Sequence, residues 1–254
     1  MGQYANRSVS RALALLEALR DARGGMGLTV LAERTSLDVS TAFRLLAVLV
    51  THRYVHLDAT SKRYSLGYAS FRLAQPDHVL RTVRRMGQRY MTQLAQTLQT
   101  DVMLAELHGM RWCLLAESRV HAENPYGLRV GGFADAHATA LGKILLAHRP
   151  AREVEALYEG WPWPRHTPQT VGTLSELRKG LPHCRHAGHV SEHGEYREGV
   201  TSLAVPLVPP AGGVRFALGL VSSRRPAGFD EGRNWVTLAT DTAAAIVQYV
   251  VRES

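Results

Sequence analysis

Three groups of residues in this chain have types and spacing that could do chemistry. Ser40, Thr41 and Arg44 fall within about one helical turn of each other and are followed by Arg53 and the pair Lys62-Arg63. Serine and threonine hydroxyls can donate to or accept from a phosphate or a base, and an arginine fork can clamp a guanine edge through two hydrogen bonds. Arg53, Lys62 and Arg63 suit phosphate contacts, which position a protein on a duplex without reading its sequence. A second group is His183-Cys184-Arg185-His186, with His189 and His193 beyond it. Imidazole and thiolate are good transition-metal ligands, so zinc is one reading. The spacing matches no standard zinc module, and surface or packing histidines are the other reading. The third is Gly142-Lys143, which looks like the end of a phosphate loop. His137 stands where that loop's first glycine belongs, however, and Ile144 replaces its Ser or Thr. With no G-x-S-x-G elbow, no G-x-G-x-x-G and no H-E-x-x-H, hydrolytic and nucleotide-driven functions have no motif to stand on.

The composition frames these groups. The 254 residues are 45% hydrophobic and 20% charged, an ordinary globular balance that excludes disorder as the main state. Cys113 and Cys184 are too few for a disulfide scaffold. No apolar run at the start resembles a signal peptide, Asn6 occupies the position where a myristoylation signal needs Ser or Thr, and no stretch approaches the roughly 18 residues of a membrane span. The expectation is a cytoplasmic protein with no membrane partner. The formal charge of +8 is distributed unevenly: residues 1–75 carry +5, residues 76–100 carry +3, and residues 101–254 are neutral. An excess confined to the first hundred residues points to a polyanion partner, with a merely solvated basic face as the alternative.

The elements that must position these side chains follow from periodicity. Val9, Ala12, Leu13, Leu16 and Leu19 predict a helix over Ser8–Arg20, broken by Gly24-Gly25-Met26-Gly27. Thr29 is read as the cap of a short helix to Arg34. Ser40 is read as the cap of a third helix to His52, with Phe43, Leu46, Leu49 and Val50 inward. Tyr54–Leu57 and Lys62–Leu66 flank a polar turn as a hairpin. Helix, helix-turn-helix and hairpin in this order make a winged helix-turn-helix, in which the second helix of the pair enters the major groove. A helix over Gly67–Ala74, an interruption at Gln75-Pro76-Asp77 and a long helix through Leu80, Val83, Met86, Tyr90, Leu94 and Leu98 follow, the last read as a linker. Beyond it, Asp101–Leu107, Trp112–Glu117, Val200–Val208 and Val214–Ser222 read as strands, the last two joined as an antiparallel hairpin. Helical segments lie near Ala138–His148, Arg152–Tyr158 and Leu174–Leu181, with a closing helix over Asp230–Val251. The expected fold is α+β, with a winged helix-turn-helix domain at 1–75, a linker helix at 76–100 and a second α+β domain at 101–254.

Several spaced segments then resemble the IclR family of transcription regulators. They are Ser8–Leu16, Leu28–Leu37 followed by Ser40–Leu46, the wing exit Tyr64-Ser65-Leu66-Gly67, the helix signature His137–Ala147 and the segment Gly188–Val200. The resemblance runs from about Ser8 to the closing helix. It implies a GAF-like effector-binding and oligomerisation domain after the linker, with a pocket for a small organic or aromatic acid. Carried onto this chain, the pocket residues are Ala140 and Leu141 through their backbone, with Glu192, Ser202 and Ser222. A helix N-terminus and two hydroxyls suit a carboxylate. Leu220, where some members have a polar residue, implies a more apolar pocket, and Glu192 would repel an anion unless protonated or turned outward.

The resemblance thus implies a ligand-responsive regulator, not an enzyme, that needs no cofactor and binds double-stranded operator DNA as a homodimer or dimer of dimers, whether as repressor or activator. A small-molecule effector would favour one arrangement of the second domains and so reset the spacing of the DNA-binding domains. Two rivals remain at this level: a constitutive DNA binder whose second domain only oligomerises, and an enzyme with a DNA-binding appendage. Trp161-Pro162-Trp163-Pro164 could pack on its own domain or on a neighbouring subunit.

Overall fold

A computed structural model describes residues 6–20, 22, 24–73, 78–223 and 233–253. The chain divides into two compact units, Met1–Pro76 and Asp77–Ser254.

The first unit contains α1 (Arg7–Arg20), α2 (Leu28–Arg34), α3 (Val39–Thr51), the hairpin β1 (Val55–Leu57) and β2 (Tyr64–Leu66), and α4 (Tyr68–Leu73). Leu15, Leu19, Leu31, Ala32, Ala42, Leu46, Leu49, Val55 and Tyr64 are its core. Burying each leucine stabilises the unit by roughly 1.5–3 kcal/mol. Two caps differ from expectation. Gly27, in extended conformation and without a side-chain bond, precedes α2 in place of Thr29. Asp38 caps α3 in place of Ser40: its Oδ1 accepts from Thr41 N at 2.8 Å and from Ser40 Oγ at 2.7 Å. A carboxylate is a stronger acceptor than a hydroxyl and also complements the positive end of the helix. Phe43 is not inward as expected but 53% exposed, while Ala42 takes the core position. Ala42, Leu46 and Leu49 follow one another at four and three residues on the buried stripe, and Phe43, about 100° further round the helix from Ala42, falls outside it.

The second unit is a six-stranded antiparallel sheet in the order β5-β4-β3-β8-β7-β6 with helices on both faces. Its strands are β3 (Asp101–His108), β4 (Arg111–Ser118), β5 (Phe133–Asp135), β6 (Val190–His193), β7 (Thr201–Leu207) and β8 (Phe216–Ser222). β5 and β6 were not expected, because edge strands of three and four residues are too short to show a period. One face of the sheet meets α5 (His78–Leu98), read from sequence as the linker, and α9 (Arg233–Glu253), through Val102, Leu104, Leu203, Val205, Leu218 and Leu220. The other face meets α6 (Ala140–Ala147), α7 (Ala151–Tyr158) and α8 (Leu174–Ala187) through Met103, Ala105, Leu114, Ala204, Ala217 and Val221. α8 passes through Pro182, where a stop was expected, and ends at Gly188 in left-handed conformation, whose N–H reaches Cys184 O at 3.1 Å.

α6 presses unusually close to its neighbours. A Cβ on Gly142 would stand 2.2 Å from Ala136 Cα, and one on Gly219 of β8 would stand 2.7 Å from Leu141 Cγ. Glycine at these two positions lets the signature helix sit directly on the sheet.

Candidate functional site

In the first unit, Ser40 and Arg44 share the exposed face of α3 with Val39, Phe43, Ala47 and Val48, and Thr41 is half-buried beside them. Asp38 organises the start of this face. It holds Ser40 Oγ and Thr41 N, and these hydrogen bonds keep its carboxyl far below the usual carboxylate range. Arg44 reaches back to Thr41 Oγ1 at 3.4 Å, so the guanidinium stands at the first turns of the helix. Phe43 is the residue that sequence reading missed on this face. Its exposed ring is suited to apolar contact with a thymine methyl; in the sequence Ala42 and Phe43 both fit the apolar period with Leu46 and Leu49, and packing selects Ala42.

The three supporting bases differ in setting. Arg53 is exposed at the end of α3 with φ 63, and Lys62 is exposed on the wing with φ 56. Both are available to solvent and to phosphate. Arg63 instead donates from Nε and Nη2 to Gly25 O at 3.2 and 3.0 Å and from Nε to Gly24 O at 3.1 Å. Its guanidinium thereby ties the wing to the α1–α2 turn. Asp58 shapes the wing tip by accepting from Thr60 N at 3.0 Å and from Ser61 N and Oγ at 2.6 and 2.9 Å.

In the second unit, Glu192 and Ser202 come together on β6 and β7, where they are register partners. Glu192 is 1% exposed and accepts from Ser202 Oγ at 2.8 Å through Oε2 and from Glu195 N through Oε1. Burial, against these two hydrogen bonds and the nearby Lys143 charge, pushes the Glu192 carboxyl up to about 7. Lys143 of α6 is itself held in an ion pair with Glu195. The buried Tyr126 hydroxyl faces Ser202 without completing a hydrogen bond of normal geometry, and burial together with the Glu192 charge raises its pKa. Its ring lies edge-on to Trp112 and Tyr196, with centroids 5.9 and 5.3 Å apart. Tyr196 in turn lies against His166, which meets Asp135 at 2.9 Å, while Arg111 holds the other oxygen of Asp135 at 3.0 Å.

Ala140 and Leu141 are fully buried at the start of α6, on the same face of the sheet. Thr139 caps this helix, accepting from Gly142 N at 3.1 Å and from Trp112 Nε1 at 2.8 Å. Ser222 does not join them. It is paired across the sheet with Thr201, one residue out of phase with the pair Ser202–Val221, so it points to the α5–α9 face. Leu220 lies on that same face among its core residues, so its apolar side chain does not line the side of the sheet where Glu192 and Ser202 meet. Sequence reading missed Tyr126, Trp112, Tyr196 and Glu195, and weighed Lys143 only as the end of a phosphate loop. Glu195 and Tyr196 lie inside the quoted Gly188–Val200 segment, but Tyr126 sits in an irregular stretch with no period to mark it.

His183, Cys184 and His186 lie on α8, and His189 lies beyond it. Among the described residues, no group of three or more His, Cys, Asp or Glu is placed to hold a metal. The Trp161–Pro164 loop packs within its own unit: Trp163 stacks on Tyr158 at 4.9 Å, and Trp161 lies edge-on to the same ring at 6.3 Å. No helix among the described residues is long and apolar enough to cross a membrane.

Comparison with known proteins agrees with both halves of this geometry. Residues 8–59 match the IclR helix-turn-helix domain, and residues 79–248 match the bacterial transcriptional regulator IclR C-terminal domain. The HTH-type transcriptional regulator TtgV of Pseudomonas putida is 31% identical over 223 residues, covering 85% of this chain and 82% of that protein. XynR of Escherichia coli, also an HTH-type transcriptional regulator, is 27% identical over 79% of this chain and 80% of its own length. An IclR homolog from Microbacterium hydrocarbonoxydans, solved in complex with 4-hydroxybenzoate, superposes with a TM-score of 0.79 at 26% identity, over 97% of this chain and 100% of that one. With a winged helix-turn-helix unit joined to an α+β effector-binding unit, and both family domains matched in order, the chain belongs to the IclR family of transcriptional regulators.

Proposed function

We propose that this regulator binds operator DNA as a homodimer or dimer of dimers and responds to a small carboxylate or aromatic acid. The observation that carries the effector class is the buried constellation of Glu192, Ser202 and Tyr126 beside the rings of Trp112 and Tyr196. Flat apolar walls hold an aromatic body, and hydroxyls with a protonatable carboxyl orient its polar end. The relative solved with 4-hydroxybenzoate supports the same class. With its pKa raised to about 7, the Glu192 carboxyl keeps its proton in about half of the molecules at neutral pH, which lessens its repulsion of an anion. In its protonated form Glu192 can donate a hydrogen bond to the ligand carboxylate.

On the DNA side, Ser40, Thr41, Arg44 and Phe43 would read base edges while Arg53 and Lys62 hold phosphates. Arg63 acts mainly by fixing the wing. Two half-sites on a duplex need two recognition helices, which a symmetric assembly supplies. The route from pocket towards DNA runs through the sheet and α9: the residues of β7 and β8 that do not face the effector side pack on α9, which packs in turn on α5, the helix that follows Pro76. An effector that binds one arrangement more tightly shifts the population towards it.

A thermal-shift screen of small carboxylates, phenols and their neutral analogues tests this reading. Stabilisation by an acid, lost in Glu192→Ala and Ser202→Ala, is the expected result. A protein that binds operator DNA but is stabilised by no member of the screen would instead be a constitutive DNA binder.

A further inference from the structure

At the far end of α6 from Ala140 lies a separate cleft of about 250 Å³, enclosed by α6, α7 and α8. Leu146, Ala147, Val154, Leu181 and Pro182 form an apolar floor, and Ala151 stands at its edge. Three arginines, Arg149, Arg178 and Arg185, line it as well. Arg178 and Arg185 share one face of α8 because they are seven residues, about two turns, apart. Arg178 is already engaged by Glu155 at 3.0 Å. Arg149 is different: its Nε is buried and has no hydrogen-bond partner among the described residues.

We propose that this cleft is a second ligand site, distinct from the effector pocket, for a small amphipathic anion: a carboxylate carried on an apolar body. Three guanidinium groups around an apolar floor supply the positive charge that a carboxylate needs, and hydrogen bonds from arginine to a carboxylate are among the stronger ones. The cleft also opens beside Ala151, the first residue of α7, whose N-terminal end favours negative charge. The floor selects against phosphate or sulfate, which would desolvate on aliphatic carbon without return. Glu155, paired with Arg178, adds a negative charge beside the cleft and so disfavours multiply charged anions. α6, an eight-residue helix about 12 Å long, bears on the effector pocket with its first turn and on this cleft with its last. Occupancy here would therefore be felt at the effector pocket through one rigid element.

The test is a methyl NMR titration of the full-length protein with sodium benzoate, benzyl alcohol and inorganic phosphate as probes. Benzoate should shift the methyls of Ala147, Ala151 and Leu181 along their own saturation curve. Arg149→Gln should weaken that curve about tenfold or more while Ala140, Ala204 and Val221 on the effector side still titrate with benzoate. Ala151→Trp, which fills the cleft from an exposed position, should abolish it. The second site is overturned if benzoate shifts only the effector-side methyls or none at all, if benzyl alcohol or phosphate shifts the cleft methyls as strongly as benzoate, or if Arg149→Gln leaves the cleft curve intact. Effector-side shifts without cleft shifts would sink this site while supporting the effector pocket itself.

Discussion

Glu192 shows how one buried side chain couples ligand, proton and fold. Its ordinary carboxyl value of 4.5 is raised to about 7 in the folded chain, chiefly by burial. The native state therefore holds a proton that the unfolded state releases. The associated stability is complete below about 4.5, is lost as the pH rises, and is gone by about 7. Glu192→Gln keeps an acceptor for Glu195 N and Ser202 Oγ but cannot ionise. The stability of wild type relative to this variant should fall by up to ~3 kcal/mol across that window, read from denaturant unfolding at several pH values. An acid effector should likewise bind wild type more tightly as the pH drops through about 7, and the variant should lose this dependence. Arg44→Ala should cost ~1–3 kcal/mol of discrimination between operator and non-operator DNA with unfolding unchanged, measured by competition binding. Unaltered base preference in that variant would remove Arg44 from the reading face.

Among the elements, α3 and α6 each depend on one residue at or near their start. Asp38 binds both Ser40 and Thr41 at the head of α3. Asp38→Ala should lower the stability of the first unit by about 1 kcal/mol and weaken operator binding as well, because the same bonds position the base-reading residues. α6 depends on the absence of a side chain: a Cβ on Gly142 would lie 2.2 Å from the Ala136 backbone, which cannot move aside as a flexible side-chain tip can. Gly142→Ala should therefore destabilise the second unit and weaken effector binding together, in thermal unfolding with and without ligand.

For the molecule as a whole, the charge asymmetry of +5, +3 and 0 along the chain becomes a division of labour between the units. Log affinity for DNA should fall linearly with log salt, with a slope set by the number of phosphates neutralised. Lys62→Ala should reduce that slope by about one. Arg63→Ala should chiefly lower the melting temperature of the first unit, because its guanidinium is spent on Gly24 and Gly25 carbonyls. Sedimentation with and without operator DNA tests the dimer or dimer of dimers.

The order and type of the long elements, the winged arrangement, the family and the basic half of the chain were all legible in the sequence. All of these rest on local periodicity, turn residues and composition, which are written along the chain. It also pointed to Glu192, Ser202, Ala140 and Leu141 through the family resemblance. Only the tertiary structure decided the rest. It turned Phe43 outward, because packing chose Ala42 rather than Phe43 as the partner of Leu46 and Leu49 on the buried stripe of α3. It placed Ser222 on the opposite side of the sheet from Ser202, because strand register alternates faces with a period of two. It showed Arg63 tied to the carbonyls of Gly24 and Gly25, residues 38 and 39 positions away. Tyr126, Trp112 and Tyr196 meet from a loop, a strand and another loop, and contacts between residues so far apart in the chain leave no trace in local pattern. Local physics wrote the elements; long-range packing chose which side chains face each other.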